Sequence, residues 1–185
     1  MKKLLKLTGG SYTGRRLYVP GTGTRPATNR TREAIFSTLY LFFSQGMEGL
    51  NILDLFAGTG SLGLEALSRG ASTVTFLDNS TQSILAIRKN LSLLGLEANV
   101  IKADAEEYLK KNTRLFFDLI FMDPPYKYNR TPQVVHLLAK SLKSDHSSVL
   151  VYERFYQQPL PDFDNRVEFL RRKKYGQTEL LYYKI

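Results

Sequence analysis

Two short strings hold most of the chemistry available to this chain. They are Asp54-Leu55-Phe56-Ala57-Gly58-Thr59-Gly60 and, later, Asp123-Pro124-Pro125-Tyr126. The first is a carboxylate running into a glycine loop. Glycines turn the backbone sharply and let a ligand approach it closely. The amides that open the following helix have no partners inside that helix and can face the ligand. Asp54 suits a cationic group, such as the ammonium of an amino-acid moiety. Asp78 closes the next apolar run, where a carboxylate can accept from both hydroxyls of a ribose. The second string joins a carboxylate to two prolines, which fix φ and remove two backbone donors. The carboxylate and the carbonyls around it make an acceptor pair for an –NH2 group. An aromatic amino nitrogen is a poor nucleophile because its lone pair is delocalised into the ring. Acceptors that hold both hydrogens turn that lone pair toward an electrophile. Tyr126 adds a flat face on which a base can stack, worth about 1–3 kcal/mol.

Taken together, the two strings point to methyl transfer from S-adenosylmethionine to an exocyclic or amide nitrogen, leaving S-adenosylhomocysteine. The alignment of nitrogen, methyl and sulfur is then largely a matter of positioning. Rival readings stay open. Gly58 to Gly63 also matches the G-x-G-x-x-G dinucleotide string, which would suit an NAD-dependent oxidoreductase. An acidic residue just ahead of the loop is not part of that pattern, and Asp54 is one. Asp-Pro-Pro-Tyr equally suits a DNA adenine or a protein glutamine amide as acceptor. An RNA-binding module that keeps an idle cofactor fold is a further alternative.

Composition bounds the setting. The 185 residues, 43% of them hydrophobic, match one domain with a buried core. A single unit over residues 1–185 is expected, with 1–28 as a basic extension and loop and 29–185 as the catalytic core. There is no cysteine, and only His136 and His146 among histidines, so no metal site is expected. No apolar run is long enough to span a membrane, and no signal peptide follows the basic Met1–Lys6 stretch. A cytoplasmic, monomeric protein without a membrane partner is expected. The net charge of +9 is concentrated at one end. Lys2, Lys3, Lys6, Arg15, Arg16, Arg25, Arg30 and Arg32 all precede Glu33, the first acidic residue. A segment of one sign attracts polyanions by releasing their counterions. A second basic run, Arg171-Arg172-Lys173-Lys174, lies near the C-terminus.

The elements that must position these residues alternate from residue 51 onward. A short apolar strand over 51–56 delivers the glycine loop, and helix 61–69 follows. Strand 73–78, helix 80–94, strand 98–102 and a short helix through Tyr108 continue the pattern. Strand 116–122 delivers Asp123, then helix 132–142 and strand 148–152. Segments 167–170 and 180–183 read as a hairpin joined by a loop. An opening helix is expected from Thr28 or Asn29 to about Ser44. Repeated strand–helix units imply a doubly wound, mostly parallel α/β sheet with an antiparallel C-terminal edge. The first 20 residues read as a hairpin-like extension.

Longer strings narrow the match. They are Leu7 to Leu17, Arg25-Pro26-Ala27-Thr28-Asn29-Arg30-Thr31-Arg32-Glu33-Ala34-Ile35-Phe36, Asp54 to Ala71, Asp123 to Tyr126, and Lys174 to Leu180. In these the chain resembles the bacterial 16S ribosomal RNA guanine-N2 methyltransferases, enzymes that modify guanine 966 of the small-subunit RNA. The resemblance implies a Rossmann-like class I fold with a seven-stranded sheet and a small N-terminal β-hairpin. It implies 16S RNA or the small ribosomal subunit as partner. It implies contacts to S-adenosylmethionine from Asp54, Phe56, Gly58, Gly60, Asp78 and Asp104, and catalytic roles for Asp123, Pro124, Pro125 and Tyr126. It implies that the basic segment, with Arg15, Arg16, Arg25, Arg30 and Arg32, faces RNA beside the active site. Asn29 and Ser80 depart from the family, which usually carries aspartate at the first position and often an acidic residue at the second.

Overall fold

The computed structural model describes residues 5–20, 28–163 and 165–185. Helix α1 (Asn29–Leu39) precedes strand β1 (Asn51–Leu55), and α2 (Ser61–Ser68), β2 (Thr73–Asp78), α3 (Thr81–Leu94) and β3 (Asn99–Lys102) follow. Then come α4 (Ala105–Lys111), β4 (Leu119–Met122), α5 (Thr131–Ser141), β5 (Val149–Phe155), β6 (Glu168–Tyr175) and β7 (Thr178–Lys184). The strands form one sheet in the order β3-β2-β1-β4-β5-β7-β6. The first five are parallel to one another, and β7 runs antiparallel to both of its neighbours. The expected architecture is the one observed.

Strand alternation explains how helices cover both faces. Ile52 and Leu53 are neighbours in sequence, yet each is wholly buried in a different cluster. Successive strand side chains point to opposite faces. One face carries Ile52, Val74, Phe76, Leu119 and Phe121, packed under α1, α2, α3 and the N-terminal extension. The other carries Leu53, Leu77, Ile120 and Leu150, packed under α4 and α5. Helix α3 shows why such covers form. Ile84, Ile87, Leu91 and Leu94 recur at helical spacing and are buried, Ser80 caps the first turn, and Gly95 ends it at φ +65°.

Several boundaries differ from expectation; β4, for one, begins at Leu119 rather than at residue 116. Helix α1 stops at Leu39 because residues 41–43 bond back to Thr38 and Leu39 in tight turns. Strand β5 continues through Glu153 and Arg154 to Phe155, past the end of the apolar run. The basic run Arg171–Lys174 lies within β6, which turns into β7 at Gly176 and Gln177 rather than through a long loop. Among the described residues the N-terminal extension follows a hairpin path with little strand pairing. Lys6 and Arg16 form a single antiparallel bridge, flanked by bonds from Leu7 N–H to Arg15 and from Leu17 N–H to Leu5. No helix among the described residues is long and apolar enough to cross a membrane.

Candidate active site

Each of the five parallel strands brings a carboxylate to the same edge of the sheet. Asp54 lies in β1, Asp78 ends β2, Asp104 follows β3, Asp123 follows β4 and Glu153 lies in β5. All five line one cavity of about 540 Å3, together with Phe56, the glycine loop and residues 123–126. The cavity opens where β1 has β2 on one side and β4 on the other. That reversal of strand order is where ligands settle in open α/β sheets.

Asp54 is almost wholly buried and accepts a hydrogen bond from Gly63 N–H at 2.9 Å. Burial, reinforced by the nearby Asp78, pushes its carboxyl up to about 7 against the pull of that bond. Asp78 accepts from Gly58 N–H at 2.8 Å and Ser80 N–H at 2.8 Å, so it pins both the glycine loop and the start of α3. Ser80, one of the family departures, caps α3 through Ser83 N–H. Asp104 caps α4, with Oδ1 accepting from Glu106 and Glu107 N–H.

The three glycines have separate reasons. Gly58 sits at φ +55° with nothing near the place a Cβ would take, so its surroundings are open. Gly60 caps α2 at φ +77°. Gly63 is a packing glycine: a Cβ there would stand 2.3 Å from the Phe76 ring. Phe56 holds φ +68°, a left-handed conformation that a large side chain adopts at a cost of about 1–3 kcal/mol. Its ring meets Tyr128 edge-on at 5.1 Å. Burial and Glu106 push the Tyr128 hydroxyl up to about 12, so it stays neutral.

The donor set fits S-adenosylmethionine. A cluster of carboxylates on one cavity wall suits the positive charge of an ammonium and a sulfonium. The open Gly58 backbone leaves space against the loop, and Asp78 keeps the chemistry to accept from hydroxyls.

Asp123 leaves the end of β4, and burial together with Glu153 and Asp54 holds its carboxyl well above the usual carboxylate range. Of the carbonyls expected to stay open around it, two are engaged. Pro125 accepts from Tyr128 N–H at 2.7 Å, and Tyr126 accepts from Gln158 Nε2 at 2.7 Å. Among the described residues no donor is bonded to the Pro124 carbonyl. The Tyr126 ring is 46% exposed and lies tilted against Phe155 at 5.8 Å.

Sequence reasoning missed Glu153, which is 7% exposed. The available signal was a charged residue inside the otherwise buried string Val149-Leu150-Val151-Tyr152-Glu153-Arg154-Phe155. Its carboxyl is pushed up to about 7 by burial. Glu153 and Tyr126 also line a second cavity of about 460 Å3, whose other walls include Arg30, Thr31, Lys174 and Gln177.

The basic residues part company. Arg30 is exposed and lines that second cavity. Arg15 and Arg16 are exposed, but Arg15 donates to the Leu93 carbonyl at 3.3 Å. Leu93 is in the last turn of α3, the end of that helix away from the cavity. Arg25 lies outside the described residues. Arg32 requires correction as an RNA contact, since none of its surface is exposed. It donates to the Lys6 carbonyl and to Asn29 Oδ1, and pairs with Glu65 at 3.6 Å. Asn29, the other family departure, thus serves Arg32.

This sheet order, with a glycine loop after β1 and Asp-Pro-Pro-Tyr after β4, defines a class I methyltransferase. The NAD reading is set aside with it. The chain belongs to the family described as Conserved hypothetical protein 95, whose pattern matches residues 5–184. It is 35% identical to YlbH of Bacillus subtilis, over 97% of this chain and 98% of that one. It is 31% identical to Ribosomal RNA small subunit methyltransferase D of Escherichia coli K12, covering 94% and 86%. The solved structure of yhhF from Escherichia coli superposes with a TM-score of 0.85 at 30% identity, covering 98% and 97%.

Proposed function

We propose that this protein methylates the exocyclic N2 of a guanine in small-subunit ribosomal RNA, with S-adenosylmethionine as donor. The observation that carries the reading is the Asp123-Pro124-Pro125-Tyr126 loop on the wall of the acidic glycine-loop cavity. The substrate class is supported by relatives named small subunit methyltransferase D. The family resemblance singles out guanine 966. Residues 1–185 act as one catalytic unit, a cytoplasmic monomer, with 1–28 as its basic extension.

The donor, when bound, supplies a methyl group already activated on a sulfonium. Asp54 holds its ammonium, Asp78 its ribose hydroxyls, and Asp104 the adenine amino group. Asp123 accepts one hydrogen of the target amino group and the Pro124 carbonyl accepts the other, which turns the nitrogen lone pair toward the methyl. Asp123 then takes the proton that the nitrogen loses; its raised pKa suits that acceptance. Tyr126 stacks on the base, which must leave its helix or loop to reach the site. Arg30 and Lys174 hold flanking phosphates.

The test is transfer of a labelled methyl to unmodified small-subunit RNA and to assembled small subunits, followed by nucleoside analysis. N2-methylguanosine at one position is the expected product. Donor binding without transfer to either substrate would move the acceptor to DNA or protein. Asp123→Ala should lose at least about 100-fold in kcat and bind the donor as the parent does. Retained turnover in that variant removes Asp123 from the mechanism.

A further inference from the structure

Asp-Pro-Pro-Tyr recognises an amino group, but it does not by itself recognise guanine. Adenine and cytosine also carry an exocyclic amino group next to a ring nitrogen. The three bases differ in that ring nitrogen. Guanine N1 carries a hydrogen and donates, whereas adenine N1 and cytosine N3 are acceptors. A second acceptor beside the one that holds the amino group therefore selects guanine and repels the other two.

We propose that Glu153 is that second acceptor: its carboxylate takes the N1–H of the flipped guanine while Asp123 holds the N2 amino group. The proposal rests on the methyltransferase reading above. Register carries it first. Met122 pairs with Tyr152 in the last rung of the parallel β4–β5 ladder, and Asp123 and Glu153 follow directly. The two carboxyls share one cavity wall, where burial and the nearby Glu153 raise the Asp123 pKa. In-register residues of adjacent parallel strands lean to the same face, about 5 Å apart. That spacing suits two donors side by side on one edge of a base.

Position carries it next. Glu153 is on the wall of both cavities, the acidic one and the one lined by Arg30 and Lys174. A base entering from the basic side meets Glu153 and Tyr126 before it reaches the glycine loop. The second cavity is of the size that small ligands occupy.

The third observation is an unmet need. Glu153 Oε2 is buried with no hydrogen-bond partner among the described residues. Buried polar groups nearly always have partners, and a bare carboxylate is costly to keep. The adjacent Arg154 does not serve it; that guanidinium is committed to Glu179 at 2.5 Å. The N1–H of a base supplies the missing donor.

The experiment compares small subunits whose target position holds guanine or 2-aminopurine, which keeps the amino group but has a bare ring nitrogen. The parent protein should prefer guanine by at least about 100-fold in kcat/KM, as sites built around a hydrogen bond do. Glu153→Gln, whose amide can donate as well as accept, should narrow that ratio at least about tenfold. Donor affinity, measured by calorimetry, should stay within about twofold, which also reports that the variant is folded. Equal loss on both substrates, or a selective loss of donor binding, overturns the assignment. A parent protein that binds donor and leaves the guanine subunits unmodified overturns the methylation reading itself, and this one with it.

Discussion

Asp54 has a consequence that pH reaches directly. Its carboxyl is held up to about 7 in the fold by burial and by Asp78, against about 3.9 in an unfolded chain. The folded form therefore keeps this proton while the unfolded form has released it. Stability contributed by Asp54 is present below the unfolded value, declines as pH rises through the window from about 4 to 7, and is constant above it. Glu153, pushed up to about 7 by burial, acts in the same direction. The ligand-free protein should accordingly melt at a lower temperature at pH 8 than at pH 6. A cationic ligand reverses the preference, because it needs Asp54 ionised. Affinity for S-adenosylmethionine should weaken by up to about tenfold per pH unit below 7, with proton release on binding. Calorimetry in buffers of different ionisation enthalpy measures that release directly. Asp54→Asn should bind weakly at every pH and release no proton. A donor affinity that is flat from pH 6 to 8 would remove Asp54 from the ammonium site.

At the scale of elements, the segments that look most distinctive in the sequence meet in one buried cluster. Glu65 of α2 accepts from Thr8 N–H and Thr8 Oγ1 of the extension. It also pairs with Arg69 at 2.9 Å and with Arg32 of α1 at 3.6 Å. Arg69 lies 4.8 Å from the centroid of the Phe36 ring. One wholly buried carboxylate thus ties the N-terminal extension and α1 to the helix that follows the glycine loop. Removing one partner of such a group leaves opposite charges buried and bare, which costs about 3–5 kcal/mol. Glu65→Ala should lose about that much in denaturant unfolding; a loss below about 1 kcal/mol would mean the cluster contributes no more than a surface pair. The sequence was readable wherever a residue's role follows from its place on a strand. Asp78 and Asp123 were placed because apolar runs end beside them, and Asp54 because it leads into the glycine loop, whereas Asp104 came from the family resemblance. Arg32 and Glu65 were not assignable in that way, since residues 8, 32, 65 and 69 meet only through packing. A basic residue in a basic segment looks like an RNA contact until its carboxylate partner is located. Glu153 was lost because the apolar run seemed to end at Tyr152, although β5 continues through it to pair with β7.

The molecule as a whole separates its charges. Five carboxylates converge on the carboxyl edge of the parallel strands, while the chain carries a net +9. An acidic cavity inside a basic protein suits a small cationic donor and a large polyanionic acceptor at once. Long-range attraction brings the RNA, and the buried carboxylates act only at contact range. Two segments far apart in sequence, with Arg30 in the first turn of α1 and Lys174 near the end of β6, meet at the second cavity. Lys174 also stands 3.5 Å from the centroid of the Tyr156 ring, which restrains it. If these two cations hold phosphates, each replaced one should reduce the slope of log affinity against log salt by about 1. Arg30→Gln and Lys174→Gln should each weaken binding to a small-subunit RNA fragment, and the double variant should lower the slope by about 2. Donor affinity should be unchanged, because neither side chain lines the acidic cavity. Anisotropy titrations of labelled RNA across a range of potassium chloride concentrations read both quantities. An unchanged slope in the double variant would place the RNA on another face and leave the second cavity without its phosphate contacts.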